Sequence, residues 1–416
     1  MRPPGAEAVP QPGAARVEGS VRPGWEAVRD AFARGRADDP GASQLAVHHR
    51  GRLVVDLWSA GTGTAGGRPF GPDAVTVLMS VSKGLVAVCA HLLSERGALD
   101  LDAPVARYWP EFAAAGKART TVSDLLTHRA GLPAFGDGAE GVGLPELLDH
   151  GARVRTLAAM PPVWEPGSAV LYHALTYGHL AGEVIRRVSG RSVGQLFAHE
   201  VAGPLGLGLW IGLPQAEEHR FVPQFSVLPP PTPHQVAAFV GGLGLVPDGR
   251  LALALRASAA ELAACTDAFG TREGRAVEFP AAGAIGDARS LSRLYAALVG
   301  QVDGVRLLSP RTVDRARTPQ TDHLMPPAPL DRIGGPHRSR FGLGFELPRP
   351  GLPLLGEGSF GHAGAGGRLG MAHPESGIAV GYVCTAMTWN PAAGPDPRWA
   401  GWTAAVREAA GLPARD

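Results

Sequence analysis

Strand patterns lie toward both ends of this chain, and helix patterns fill the region between them. The segments 44–49 and 52–58 are rich in apolar and β-branched residues and meet at Arg50-Gly51, which predicts a β-hairpin. Two further strand patterns, 361–374 and 377–387, occur near the other end. An isolated hairpin is only marginally stable, so we expect both sets to join in one sheet. The sequence therefore predicts an α+β fold in which a helical lobe is inserted between two parts of a sheet.

The predicted domain organisation is simple. Residues 1–20 are rich in Pro, Gly and Ala and show little periodicity, which predicts a flexible tail. We expect residues 21–416 to form a single domain. Its sheet lobe takes in about 21–75 and 285–416, and its helical lobe about 76–284.

Several local patterns sharpen this expectation. Apolar spacing predicts a helix over about 24–35, and Thr121 with Asp124 has the pattern of a helix capping box. Residues 208–250, which are rich in Pro, Gly and large apolar side chains, are interpreted as a long irregular insertion. The segment 340–347 is interpreted as a strand that precedes the last hairpin.

Charge and composition exclude several kinds of partner. The 416 residues carry 39 basic and 38 acidic side chains, a net charge of +1, whereas binding nucleic acid needs a basic excess. No run of ~18 apolar residues and no signal-peptide core is present, so we expect no membrane contact and a cytoplasmic location. The 3 cysteines and 14 histidines show no metal-ligand spacing, which predicts no metal and no other cofactor.

Lysine is almost absent from this chain. Of the 39 basic residues, 37 are arginines, and the two lysines are Lys83 and Lys117. A guanidinium does not lose its proton near neutral pH, so a retained lysine is a candidate base. Lys83 stands three residues after Ser80, whereas Lys117 has Ala114 at that position. Ser-x-x-Lys is therefore the candidate catalytic motif; the alternative is a helix-capping serine beside an exposed lysine.

The spacing of Ser80 and Lys83 suits nucleophilic catalysis. Residues three apart share one face of a helix. At the first turn of a helix the Ser80 N–H has no partner within the helix and lies at the positive end of its dipole, where it can hold an oxyanion. Apolar neighbours such as Val81 and Leu85 desolvate the Lys83 ammonium, which lowers its pKa and lets it accept the serine proton.

A second serine motif does not fit its usual context. Gly190 to Gly194 match Gly-x-Ser-x-Gly, the nucleophile elbow of α/β-hydrolases, in which a strand precedes the serine and a helix follows it. Ser192 lies between two helix patterns instead. We interpret Gly190 as the residue that ends one helix and Ser192 as the N-cap of the next.

Taken together, the motifs resemble the serine hydrolases of the penicillin-recognising superfamily. These include class C β-lactamases, DD-peptidases, family VIII carboxylesterases and related acyltransferases. The resemblance covers about residues 24–411, and its landmarks follow in order: GRLVVDLW, LMSVSKGLVA, LLTHRAGLP, WEPGSAVLYHALTYGHLAGEVIRRVSGRS and GHAGAGGRLGMAHPESGIAVGYV. It implies a five-stranded antiparallel sheet flanked by helices, with an inserted helical lobe.

The resemblance also assigns roles to particular residues. Ser80 matches the acylated nucleophile, Lys83 its base, and Tyr172 the tyrosine of the Y-x-N motif that shares proton transfer. From the residues alone, any of the 5 tyrosines could be chosen, and Tyr177 would serve as well as Tyr172. The backbone amides of Ser80 and Ala365 are implied as the donors to the oxyanion.

Two departures from the family pattern concern substrate binding. Tyr172 is followed by His173 and Ala174, so the Asn of Y-x-N is missing, and the Lys-Thr-Gly motif is replaced by His362, Ala363 and Gly364. Family members that bind penicillin use that Asn and that Lys to hold the drug. His173, His362 and Gly364 are thus predicted to line the substrate site without a fixed cation.

Arg368 is a candidate substitute for the missing cation. It lies four residues beyond Gly364. If the substrate carries an acidic group, we expect Arg368 to bind it; the alternative is an exposed surface arginine.

These features predict a serine esterase that acts on small-molecule esters through an acyl-Ser80 intermediate. An acyltransferase of biosynthetic metabolism would use the same acyl-enzyme and stays open as an alternative. A D-amino-acid amidase or a β-lactamase is disfavoured by the missing Asn and Lys. A non-catalytic binding module is disfavoured because Ser80, Lys83 and Tyr172 are all present.

Overall fold

The structure is a computed structural model that describes residues 16–61, 70–135, 143–227, 232–246, 248–332, 339–388 and 394–413. Its strands are β1 Val17–Val21, β2 Ser43–His49, β3 Arg52–Ser59, β4 Thr76–Val77, β5 Leu209–Ile211, β6 Phe225–Ser226, β7 Ala284–Gly286, β8 Phe360–Gly364, β9 Arg368–His373, β10 Ile378–Cys384 and β11 Ala386–Met387. Its helices are α1 Glu26–Arg34, α2 Ser82–Glu95, α3 Val122–Leu126, α4 Leu144–Leu148, α5 His150–Ala159, α6 Thr176–Ser189, α7 Val193–Phe197, α8 Gly203–Leu205, α9 Pro233–Gly242, α10 Arg250–Ala268, α11 Arg272–Ala276, α12 Ala288–Val299, α13 Pro310–Arg317 and α14 Pro397–Ala409.

The main sheet takes its strands from both parts of the chain. The strand order is β1-β3-β2-β10-β9-β8, and every neighbouring pair is antiparallel. β2 and β10 join the two parts, with Val47 opposite Val380. This topology confirms the predicted α+β fold with a helical lobe between two parts of one sheet. The sheet has six strands rather than five because β1 is added at its edge.

The prediction of a flexible tail over residues 1–20 is wrong for its last four residues, 17–20. Residues 17–21 form β1, in which Val17 pairs with Ser59 and Val21 with Val55. The strand is short and lies at the edge of the sheet, and its alternation is weak, since Gly19 stands between the two valines. The rest of the predicted tail, 1–15, is outside the described residues.

The two faces of the sheet carry different side chains, as the two-residue period of a strand requires. Leu45 and Val47 point to one face, which packs with α1 and α14. Ala46 points to the other face, toward α12. Gly370 and Gly381 are paired in register on that face, and a Cβ at either would collide with α12. The small residues therefore let α12 lie close against the sheet.

Local signals place the helices of the inserted lobe. Thr121 and Asp124 form the predicted capping box at α3. Gly190 ends α6 in the left-handed conformation and Ser192 caps α7, so both interpretations of this segment are confirmed. The region 208–250 is more regular than predicted, since it contains β5, β6 and α9 and the start of α10.

The segment 340–347 is not a strand, contrary to expectation. Phe341 and Glu346 bridge to each other, and Glu346 also bridges to Gly361. Gly344, with φ of +88°, turns the backbone between them. The segment is therefore a tight loop against the edge strand β8, and its apolar side chains are buried.

A small second sheet leads into the segment that carries Ser80. Its order is β4-β7-β5, and Leu78, directly after β4, donates to the carbonyl of Ala284 in β7 at 2.8 Å. This hydrogen bond fixes the end of β4 against β7. In the parts of the chain that the structure describes, no helix combines the length and the apolar character needed to cross a membrane.

Candidate active site

Ser80 lies in a one-turn 3-10 helix that joins β4 to α2. Met79, just before it, has φ of +51°, a left-handed conformation that costs a non-glycine residue about 1–3 kcal/mol. Ser82 holds this turn, because its Oγ donates to the Met79 carbonyl at 2.6 Å and accepts from the Ala284 N–H at 2.9 Å. Within 74–93, Ser80 is the one residue that is not buried. The turn therefore brings the Ser80 hydroxyl to the surface of an otherwise buried segment.

Lys83 is buried directly behind Ser80. Its Nζ lies 3.2 Å from Ser80 Oγ, 2.7 Å from the carbonyl oxygen of Ala174 and 2.9 Å from that of Ala281. Burial lowers the pKa of Lys83 to about 7, although the negative charge of Glu346 opposes the shift. A neutral amine has two N–H groups and one lone pair. The two carbonyls accept the two N–H groups, which leaves the lone pair for the Ser80 hydroxyl.

Tyr172 contacts both of these residues. Its hydroxyl interacts with the Ser80 side chain, and the Lys83 Nζ lies 4.8 Å from the centre of its ring. The ring packs between His128, at 4.7 Å between ring centres, and Phe341, at 6.1 Å. Burial raises the pKa of Tyr172 well above its usual value. The phenol is therefore protonated at neutral pH and is a potential proton donor.

Tyr177 occupies a different place. It is fully buried in the core, and its hydroxyl donates to the backbone carbonyl of Lys83 at 3.4 Å. Tyr177 thus supports α2 from behind, and Tyr172 is the tyrosine beside the nucleophile.

His173 lies under the segment that carries Tyr172. The N–H of Leu132 donates to its Nε2 at 3.0 Å, and its Nδ1 donates to the carbonyl of Leu171 at 2.7 Å. Burial lowers the pKa of His173 to about 4, so the ring is neutral and this tautomer is fixed. Both ring nitrogens are occupied by backbone groups. His173 therefore helps to place Tyr172 and does not contact the substrate as predicted.

Strand β8 brings His362 and Gly364 to the site. The His362 Nδ1 donates to the carbonyl of Ala363 at 2.7 Å and lies 3.4 Å from a carboxylate oxygen of Glu346. Burial lowers the pKa of His362, so this side chain supplies no fixed cation. A Cβ on Gly364 would lie 2.4 Å from the carbonyl oxygen of Leu78, just before the Ser80 turn. Glycine at this position lets β8 approach the nucleophile.

Ala365 follows β8 in the turn 365–367, which we call the β8–β9 turn. Within 359–373 it is the one residue that is not buried. Among the residues that the structure describes, its N–H has no hydrogen-bond acceptor. The free amide beside the Ser80 turn agrees with the role implied for Ala365 as an oxyanion donor.

Arg368 is not an exposed surface side chain. It is fully buried, and its guanidinium donates to the carbonyl of Ala365 at 2.8 Å and to Gln224 Oε1 at 2.9 Å. Both terminal nitrogens of Arg368 are thus hydrogen-bonded within the protein, and its buried Nε has no partner among the described residues. Arg368 therefore supports the β8–β9 turn rather than facing an acidic substrate.

The structure thus brings Ser80, Lys83 and Tyr172 together, with His362 beside Tyr172, and β8 packs against the Ser80 turn just before Ala365. Sequence reasoning missed Glu346 and Phe341, which come from the tight loop 340–347 and contact His362 and Tyr172. No local signal marks them, because long-range packing brings that loop to the site. Within the described ranges, no group of three or more His, Cys, Asp or Glu side chains could hold a metal ion.

The fold and the site together define a serine hydrolase with a β-lactamase-like fold. The chain belongs to the beta-lactamase family, whose family model matches residues 28–403. It is 34% identical over 391 residues to the esterase/beta-lactamase LipL of Mycobacterium tuberculosis, a match covering 88% of this chain and 82% of LipL.

Solved structures show the same likeness. A family VIII carboxylesterase superposes with a TM-score of 0.80 at 33% identity, covering 95% of this chain and 100% of that one. EstA from Arthrobacter nitroguajacolicus Rue61a superposes with a TM-score of 0.79 at 32% identity, covering 94% and 98%.

Proposed function

We propose that this protein is a carboxylesterase that cleaves small-molecule esters through an acyl-Ser80 intermediate. The observation that carries the proposal is the environment of Lys83. Full burial favours its neutral form, two backbone carbonyls accept the two N–H groups of that form, and its lone pair faces the Ser80 hydroxyl at 3.2 Å. Esterases among the similar proteins support the same reaction class.

The proposed reaction has two halves. Ser80 Oγ attacks the ester carbonyl as Lys83 takes its proton, and the amides of Ser80 and Ala365 stabilise the oxyanion. Tyr172 then donates a proton to the departing alcohol oxygen, and Lys83 returns the proton to the tyrosine. Water attacks the acyl-enzyme by the reverse proton path and releases the acid. An alcohol in place of water would give acyl transfer from the same intermediate.

The decisive experiment traps the intermediate. We expect that brief incubation with p-nitrophenyl acetate, followed by acid quenching, adds one acetyl group to the intact protein and that peptide mapping places it on Ser80. Ser80→Ala abolishes both the adduct and the release of p-nitrophenol, while Ser82→Ala, the matched control, retains both. An adduct on another residue, or normal turnover by Ser80→Ala, would contradict the proposal.

A further inference from the structure

The three carbonyl groups of the β8–β9 turn all accept hydrogen bonds from buried side chains. Arg368 donates to the Ala365 carbonyl at 2.8 Å, as described above. Arg398 and the Cys384 thiol donate to the carbonyl of Gly366, and the indole N–H of Trp399 donates to that of Gly367 at 2.9 Å. Arg398 and Trp399 both belong to the first turn of α14. Side chains from β9, β10 and α14 thus converge on one three-residue turn.

The two glycines of the turn make room for these donors. Gly366 and Gly367 have φ of +81° and +104°, in the region that favours glycine. A Cβ on Gly366 would lie 2.3 Å from the Arg368 guanidinium, and one on Gly367 would lie 1.9 Å from that of Arg398. The backbone and the guanidinium groups are therefore in direct contact, with no space for a side chain between them.

The donors are themselves fixed by buried partners. Arg398 contacts the carboxylate of Asp396 at 2.6 Å and that of Asp39 at 3.4 Å, and Asp39 also pairs with Arg36. All four side chains are buried. With Arg368, the group holds three guanidinium and two carboxylate groups, and hence one positive charge in excess. This buried excess of positive charge next to the β8–β9 turn favours negative charge in its vicinity.

The Ala365 N–H shares a peptide plane with the Gly364 carbonyl, which accepts from the Gly367 N–H at 3.0 Å, so fixing the turn also fixes the direction of the Ala365 N–H. The Ala365 N–H has no acceptor among the described residues, and Ala365 is the one residue of the turn that is not buried. We propose that Arg368, Arg398 and Trp399 act as positioning residues that hold this N–H toward the oxyanion of acyl-Ser80 formation. The inference rests on the proposed function, and it makes the start of α14 part of the apparatus for acyl transfer.

A pair of tryptophans on α14 allows a matched test. Trp399 and Trp402 are both buried, but the indole nitrogen of Trp402 has no hydrogen-bond partner in the described parts of the chain. Trp399→Phe and Trp402→Phe therefore remove similar amounts of ring, and Trp399→Phe alone removes a donor to the β8–β9 turn. Both variants are compared with the wild type in kcat and KM for p-nitrophenyl acetate, in inhibition by phenylboronic acid, and in Tm.

We expect Trp399→Phe to lower kcat by about tenfold with little change in KM, since losing an oxyanion donor outright costs ~10²–10³ in kcat. Phenylboronic acid, which forms a tetrahedral adduct on serine, should bind more weakly by a similar factor. Trp402→Phe should keep kcat and the binding of phenylboronic acid within about twofold of the wild type, even if its Tm falls as much as that of Trp399→Phe. Equal effects of the two variants, or an unchanged kcat in Trp399→Phe, would overturn the positioning role. If instead Ser80→Ala kept full activity, the proposed function itself would fall, and the positioning role with it.

Discussion

The Glu346 carboxylate accepts a hydrogen bond from the backbone N–H of Ala363 at 2.7 Å. This contact places a negative charge beside β8, where it faces the His362 ring at 3.4 Å. The same charge raises the pKa of Lys83 against the larger lowering by burial. Glu346 is thus linked both to the strand that leads to Ala365 and to the titration of the base.

We expect Glu346→Gln to move the acidic limb of the kcat/KM profile to lower pH. Without the negative charge, burial lowers the pKa of Lys83 further, so its neutral form persists at lower pH. The glutamine oxygen can still accept the Ala363 N–H, so the strand should stay in place. The profile is measured with a neutral p-nitrophenyl ester. Glu357→Gln, at an exposed carboxylate paired with Arg340, is the control and should leave the limb unmoved. A shift of the Glu346→Gln limb to higher pH would contradict this account.

The wild-type profile follows from the same residue. Because Lys83 acts as a base only when neutral and its pKa is lowered to about 7, kcat/KM should rise with pH and reach half its plateau near pH 7. Lys83→Arg keeps the charge but cannot accept a proton, so it should be nearly as inactive as Lys83→Ala. Stopped-flow or steady-state assays of both variants check this. Substantial activity in Lys83→Arg would make Lys83 an electrostatic residue only.

Ser82→Ala should separate stability from catalysis. The substitution removes a donor to the Met79 carbonyl and leaves the buried N–H of Ala284 without its acceptor. A buried polar group without a partner costs about 1–3 kcal/mol, so denaturant unfolding should show a loss of that size. The kcat per folded molecule should stay within a few fold of the wild type, since Ser82 faces away from the substrate. If activity fell with no change in stability, the role given to Ser82 would be wrong.

We expect β-lactams to be poor substrates compared with simple esters. The Asn and Lys that hold penicillins in related enzymes are replaced by Ala174, which offers only a backbone carbonyl to Lys83, and by the neutral, buried His362. A hydrogen bond to a charged group contributes about 1.5–3 kcal/mol, so kcat/KM for nitrocefin should lie at least about 10-fold below that for p-nitrophenyl acetate. Comparable values for both substrates would favour a β-lactamase.

The sequence predicts the elements with strong local signals. The Ser80 and Lys83 spacing, the capping box of Thr121 and Asp124, and the β2–β3 hairpin all depend on residues close together in the chain. Arg368 shows the limit of such reasoning. Its burial depends on its contacts with Gln224 and with the β8–β9 turn, and the residues next to it in the sequence indicate neither contact.

Lys117 shows a second way in which the sequence misleads. Like Lys83, it is a rare lysine, but it is buried with its ammonium on the carbonyls of Ala114, Ala158 and Met160. Three carbonyls around one nitrogen suit a compact ammonium, which a planar guanidinium could not replace. In a chain with so few lysines, each remaining lysine therefore marks either a site that needs a compact ammonium or a site that needs a base.

The pairing of β2 with β10 has a consequence for how the protein is made. On the ribosome, residues 43–49 emerge long before residues 378–384, so the middle of the main sheet stays open until residues 378–384 have been made. The nucleophile helix is also complete well before β8 and the Ala365 amide exist. A nascent chain therefore carries Ser80 and Lys83 without the group that completes the oxyanion site, and it should gain hydrolytic activity only after residues 360–365 have emerged.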